Sequence, residues 1–60
     1  MPMSGKEMIK AFQTKGWKIS RQRGSHVRMI KGNNFETIPL HRELKKGMEA
    51  RLLRRLREVE

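Results

Sequence analysis

The side chains best suited to chemistry in this sequence are a histidine and the arginines around it. His26 lies in the segment Arg-Gly-Ser-His-Val-Arg, which spans residues 23–28. Histidine exchanges protons near neutral pH and can act as a general acid or base. One reaction that such a group could catalyse is RNA cleavage, because RNA contributes its own nucleophile, the 2′-hydroxyl group. Guanidinium groups beside the imidazole could hold phosphate and offset developing negative charge. The candidates are His26 for proton transfer and Arg21, Arg23 and Arg28 for phosphate binding.

A second set of candidate residues is open to two interpretations each. Ser25 could bind phosphate or cap a hairpin turn. His41 could be a second proton-transfer group, or a structural residue that follows Pro39-Leu40. Lys45 and Lys46 could form an anion site where a helix begins, or could belong to a solvated loop.

Positive charge is the strongest signal in the composition. Fifteen Lys and Arg against six Asp and Glu give a net charge of +9 over 60 residues. No acidic residue lies between Glu7 and Glu36. Such a field attracts phosphate backbones, so a nucleic acid is the expected partner. A solubility-driven surface or an acidic protein partner would also suit this charge, and an acidic partner can coexist with RNA binding.

Several other classes of function are disfavoured. There are no cysteines, and the two histidines and six carboxylates show no familiar metal-ligand spacing, so neither a metal nor a cofactor is expected. No apolar run is long enough to cross a membrane, and the start lacks a signal peptide. We therefore expect a cytoplasmic protein without a membrane partner. The length predicts one domain over residues 1–60.

Two amphipathic helices are predicted at the ends of the chain. Ser4 and Glu7 form a capping-box pattern and Gly16 suits a left-handed C-cap, so the first helix should run from Gly5 to Lys15 after a frayed start at residues 1–3. A basic loop over residues 41–47 precedes the second helix. The apolar stripe of that helix consists of Met48, Leu52, Leu53, Leu56 and Val59.

Alternating apolar and polar residues between the helices predict three strands. The first, over residues 17–21, should place Trp17 and Ile19 toward the core. Turns at residues 22–24 and 32–34 separate it from a second strand over 25–31 and a third over 35–40. Ile38 should point inward, and Pro39 assigns the third strand to a sheet edge because proline donates no backbone hydrogen bond.

The resulting order is α-β-β-β-α, an α+β fold with a three-stranded antiparallel sheet. Both helices should cover one face of this sheet, because two helices cannot cover both. In the second strand, Val27 and Met29 suit the core, so His26 and Arg28 should point outward, and Ile30 has the same phase. The prediction is a basic sheet face, left open, that carries one imidazole.

Five sequence elements, in this order, resemble the HicA toxin family. They are Ser4-Gly5-Lys6-Glu7, Gly16 before an aromatic residue, Arg23-Gly24-Ser25-His26, Pro39-Leu40-His41 and Glu43-Leu44-Lys45-Lys46-Gly47. The resemblance covers nearly the whole chain. It implies a double-stranded-RNA-binding-domain-like fold of the same α-β-β-β-α order.

The resemblance also implies an activity and a partner. The activity would be that of a translation-independent endoribonuclease toxin that acts on mRNA (an mRNA interferase), with His26 as the essential residue. The partner would be a HicB antitoxin that covers the active surface and holds the toxin inactive. We expect the free toxin to be a monomer and the toxin–antitoxin complex to be a larger assembly.

Two functions of different class are therefore weighed. In the first, a metal-independent endoribonuclease uses His26 as base or acid, its arginines position phosphate, and Lys45 and Lys46 extend the RNA track. The second is a non-catalytic RNA-binding module of the same fold, which would depend on those lysines and not on His26. A DNA-binding helix-turn-helix is disfavoured because the middle of the chain alternates with period two.

Overall fold

The computed structural model describes residues 2–59, which form two helices and one sheet. The elements are α1 (Gly5–Thr14), β1 (Lys18–Arg23), β2 (His26–Lys31), β3 (Asn34–Pro39) and α2 (Lys46–Glu58). The strands pair antiparallel in the order β1-β2-β3. The predicted α-β-β-β-α order is confirmed, and so is the edge position of the strand that contains Pro39.

Helix α1 begins against the end of β3. The Ser4 hydroxyl accepts a hydrogen bond from the Glu7 amide at 3.0 Å, and the Glu7 carboxylate accepts one from the Ser4 amide at 2.8 Å. This is the predicted capping box. The next amide, of Gly5, donates to the His41 carbonyl at 2.9 Å. A Cβ at Gly5 would lie 1.9 Å from the Pro39 carbonyl oxygen, so only glycine fits here.

Helix α1 ends in a Schellman motif that determines where Trp17 lies. Gly16 adopts a φ of 93° and donates to the Gln13 carbonyl, and the Trp17 amide donates to the Phe12 carbonyl. The chain reverses, and the Trp17 and Phe12 rings meet edge to face with centroids 4.9 Å apart. Trp17 is 2% exposed, which confirms its predicted place in the core.

The predicted burial of Ile19 is wrong, because this side chain is 49% exposed. Its partner across the ladder is the buried Met29, so Ile19 does face the helical side of the sheet. However, β1 is an edge strand, and Ile19 lines an open groove with Ile9 and Gln13 of α1. The exposure follows from this edge position, since the helix does not extend over it.

The core lies between one face of the sheet and the two helices. The predicted inward side chains Val27, Met29 and Ile38 are all buried, and Leu52 and Leu56 of α2 are buried with them. Two further residues of α2 and its C-cap residue are partly exposed and also pack against this core. The buried core consists of Met8, Ile9, Phe12, Trp17, Val27, Met29, Ile38, Leu44, Leu52 and Leu56.

The predicted frayed start is wrong for Met3. Its carbonyl accepts a hydrogen bond from the Leu44 amide at 2.8 Å, and its amide donates to the Glu49 carboxylate. The Met3 side chain packs against the core. The other end of the predicted frayed segment, Met1, lies outside the described residues.

Candidate nucleic-acid interface

The sheet surface that faces away from both helices is referred to below as the open face. Residues directly opposite each other in an antiparallel pair point to the same side of the sheet, so the strand register defines its members. None of them is acidic. The open face consists of Lys18, Arg21, Arg23, His26, Arg28, Ile30, Phe35, Thr37 and the buried Pro39.

A β-bulge in β1 brings two arginines onto the open face. Ile19 and Arg21 pair with consecutive residues of β2, so Ser20 between them has no partner. Strict alternation from Ile19 would point Arg21 and Arg23 inward with it. The extra residue at the bulge changes the phase of the strand and points both arginines outward.

His26 lies at the start of β2 and is exposed on the open face, as predicted. Its Cα partners are Arg23 on one side and Pro39 on the other. Arg28 is two residues further along the same strand, and Arg21 is opposite Arg28. Directly opposed side chains have Cβ atoms about 5 Å apart and diagonal ones about 7 Å. The strand register therefore places Arg21, Arg23 and Arg28 next to His26, and the guanidinium of Arg28 lies over the Phe35 ring.

Part of the open face is apolar, and the sequence analysis identified Ile30 there but not Phe35. The Arg28 guanidinium lies 4.4 Å from the centroid of the Phe35 ring. Phe35 is 56% exposed and its cross-strand partner Ile30 is 39% exposed. Side chains alternate along β3, so the residue three positions before the inward Ile38, which is Phe35, must point outward. This alternation could have identified Phe35 from the sequence.

Ser25 and His41 hold the chain together at the end of the sheet where His26 lies. The Ser25 carbonyl accepts a hydrogen bond from the Leu40 amide at 2.7 Å, in the turn between β1 and β2. His41 follows Pro39, the partner of His26, by two residues, and its carbonyl accepts from Gly5. Both side chains are exposed. The structural contacts of Ser25 and His41 are made by the backbone, so both side chains remain available to a ligand.

Lys45 and Lys46 do not lie on the open face. Lys45 is the N-cap of α2 and Lys46 is its first residue. Both are exposed, and Lys46 borders a shallow depression with Pro2 and Glu49. The structure thus brings Arg21, Arg23, His26 and Arg28 together and leaves the two lysines at the start of a helix.

The only acidic residue in the three strands points away from the open face. Glu36 is opposite Met29, on the helical side of the sheet. Its carboxylate accepts from Arg51 at 3.1 Å and lies 3.4 Å from the Arg55 guanidinium, both in α2. The positive charge of the open face is therefore not offset from within the sheet.

Neither a metal centre nor a membrane span is found in the part of the chain that the structure describes. Within residues 2–59, no three His, Cys, Asp or Glu side chains are grouped closely enough to hold a metal ion. Neither α1 nor α2 has the length and apolar character needed to cross a bilayer.

The fold and the open face define a small basic α+β domain whose exposed sheet surface carries one histidine among arginines. In a comparison with protein-family models, residues 5–57 match the family described as HicA toxin of bacterial toxin–antitoxin systems. The chain therefore belongs to the HicA toxin family, the toxin components of pairs in which the partner is an antitoxin. Searches of curated proteins and of solved structures gave no match.

Proposed function

We propose that this toxin is a metal-independent endoribonuclease that cleaves mRNA, with His26 as its proton-transfer group. The observation that supports the proposal is the position of His26 on the open face, opposite Arg23 and two residues from Arg28. An exposed imidazole among cations suits an anionic substrate that carries its own nucleophile.

The reaction uses the 2′-hydroxyl group of the RNA. Its oxygen attacks the adjacent phosphorus, and the bond from phosphorus to the 5′-oxygen of the next nucleotide breaks. His26 takes the proton from the 2′-hydroxyl as base, or gives one to the departing 5′-oxygen as acid. The products are a 2′,3′-cyclic phosphate and a 5′-hydroxyl end. Arg21, Arg23 and Arg28 hold the non-bridging oxygens and offset the charge that builds up on them.

Further contacts extend this site along the RNA. Ser25, in the turn beside His26, is exposed and can donate its hydroxyl to a phosphate oxygen. Lys45 and Lys46 contribute charge where α2 begins. A HicB-type antitoxin neutralises the toxin by covering the open face, and acidic residues on that partner would match its charge. We expect the free toxin to act as a monomer in the cytoplasm.

The test is cleavage of an mRNA transcript in EDTA by the wild type and by His26→Ala. We expect cleavage to fall by about 100-fold or more. The fold should be unaffected because the imidazole is exposed, so the variant should still bind RNA. A substrate with deoxyribose at the cleaved position should resist the wild type. Undiminished cleavage by the variant would remove His26 from the mechanism, and a requirement for a divalent ion would contradict metal independence.

A second experiment addresses the partner. Induced expression of the wild type should arrest bacterial growth, whereas His26→Ala should not. Co-expression of a HicB-type antitoxin should restore growth and protect RNA in vitro. Arrest that persists with the antitoxin present would contradict the proposed pairing.

The alternative is a non-catalytic RNA-binding module, which is favoured by the two exposed lysines at the start of α2. Domains of this fold bind A-form RNA through such helix ends. In that case Lys45→Ala and Lys46→Ala would weaken RNA binding more than Arg21→Ala and Arg23→Ala, and the wild type would cleave nothing.

A further inference from the structure

The apolar part of the open face is unusual for a chain of this composition. The protein has three aromatic residues, and two of them, Phe12 and Trp17, are buried. The third, Phe35, is 56% exposed, which is more than either exposed isoleucine of the sheet, Ile19 or Ile30. It lies opposite the exposed Ile30 on an edge strand, where an aromatic ring gains little from burial.

Phe35 is connected to the proposed cleavage site through Arg28. The guanidinium lies over the ring at 4.4 Å, and Arg28 is partly buried although it projects from the open face. The contact is a cation–π stack, which holds a long flexible side chain in one place. Arg28 is also two residues from His26 on the same side of β2. The stack is therefore adjacent to the proposed phosphate site at His26.

An arginine stacked on a phenylalanine, with other cations beside it, suits a nucleotide, which combines a flat base with a negatively charged phosphate. The flat base can lie on the guanidinium plane or on the part of the ring that the guanidinium leaves exposed, while Arg21 and Arg23 engage the phosphates. A base that is paired within a duplex has both of its flat surfaces covered by neighbouring bases. Only an unpaired base offers a free surface to Phe35.

The patch is too small to be the centre of a protein interface, although an antitoxin that covers the whole open face would cover the patch with it. The exposed apolar part consists of two side chains, Ile30 and Phe35, and the rest of the exposed open face is largely cationic. Protein interfaces usually centre on a larger apolar patch from which charged residues are depleted. A nucleotide needs only one apolar surface with positive charge beside it.

We propose that the Arg28–Phe35 stack binds an unpaired base next to the scissile phosphodiester, so that the enzyme acts on single-stranded RNA. This inference rests on the proposed ribonuclease function and adds a residue that selects the substrate. Phe35 is a positioning residue in it, because the base that it stacks is not the reacting group.

The binding test uses a labelled single-stranded oligoadenylate with 2′-O-methyl groups, which cannot be cleaved, and inorganic polyphosphate as a competitor that carries charge without bases. Phe35→Leu should weaken binding of the oligonucleotide about 10-fold and leave the polyphosphate affinity within about twofold. Phe35→Trp should bind at least as tightly, with quenching of the new indole. Ile19→Ala removes a similarly exposed apolar side chain from the opposite side of the sheet and should change neither affinity.

Two results would overturn the inference. One is an unchanged oligonucleotide affinity for Phe35→Leu, which would leave the patch to a protein partner. The other is an equal loss for oligonucleotide and polyphosphate, which would reduce Phe35 to a support for the charge of Arg28. If Phe35→Leu does not fold, photocrosslinking of the wild type to 5-iodouridine RNA replaces it, with an adduct expected at Phe35 and an adduct confined to other residues as the contradicting result.

The test is independent of the cleavage experiment because its ligand cannot react. Loss of oligonucleotide binding in Phe35→Leu supports base stacking whether or not His26→Ala abolishes cleavage. Cleavage that depends on His26 but binding that does not depend on Phe35 would overturn this inference and leave the proposed function standing.

Discussion

Arg21 lies directly opposite Arg28 in the ladder between β1 and β2, two like charges at one cross-strand position. Opposed like charges destabilise a sheet by up to about 1 kcal/mol. The bulge at Ser20 produces this arrangement, since it changes the phase of β1 just before Arg21. The opposed arginines should lower the free energy of unfolding of the free protein. They also concentrate positive charge beside His26, as expected of a site that binds a polyanion.

Arg21→Thr should therefore stabilise the free protein while weakening its interaction with RNA. We expect the free energy of unfolding to rise by about 0.5 kcal/mol at low salt, and the gain to shrink at high salt as the repulsion is screened. The measurement is urea denaturation at the two salt concentrations, with RNA affinity in parallel. Lys18→Thr is the control, because Lys18 is opposite the uncharged Ile30. An equal gain in that variant would mean that net charge, and not the opposed pair, is responsible.

Gly5→Ala should destabilise the fold because α1 meets β3 at this residue. The added Cβ would fall 1.9 Å from the Pro39 carbonyl oxygen, and backbone must move to relieve the clash. We expect a loss of about 2 kcal/mol or more, seen as a lower midpoint of urea unfolding.

Gly47→Ala is the matched control for this substitution. Nothing lies within 4 Å of a Cβ at Gly47, which is in the first turn of α2. Alanine should stabilise that helix by about 0.5 kcal/mol, since it has less backbone freedom to lose. Similar losses for both variants would contradict the close approach at Gly5.

Glu36→Gln should weaken the connection between β3 and α2. The Glu36 side chain is 13% exposed and faces both Arg51 and Arg55. Arg51 is 47% exposed, so that pair is well screened, and we expect a loss of only about 1 kcal/mol in thermal unfolding. The exposed loop residue Glu43 supplies the control, with a change within about 0.5 kcal/mol for Glu43→Gln. No difference between the variants would show that the ion pairs do not stabilise the fold.

His41→Ala should leave the fold intact, because the structural contact of His41 is made by its carbonyl. We expect the free energy of unfolding to stay within about 0.5 kcal/mol of the wild type. Cleavage by the same variant then separates the two interpretations of His41. Loss of one limb of the pH–rate profile would identify His41 as the second proton-transfer group. An unchanged profile would mean that His41 contributes only through its backbone. Unfolding of the variant would contradict the structural basis of this prediction.

Local patterns were enough to predict the elements and the outward direction of His26. The Ser4–Glu7 capping box and the Gly16 C-cap act within a few residues, so the sequence determines the ends of α1. Val27 and Met29 in one central strand determine its phase, because a shift by one residue would bury His26 in their place. Family membership, too, could be expected from short motifs in their order along the chain.

Only the tertiary structure decided how the other strands contribute to the open face. The outward direction of Arg21 depends on a bulge, and the exposure of Ile19 depends on how far α1 extends over an edge strand. The Arg28–Phe35 stack joins side chains from two strands. Each of these features is a contact or a register between two different segments of the chain. Residue periodicity describes one segment at a time, and for that reason it predicts the direction of a single strand but not the register between strands.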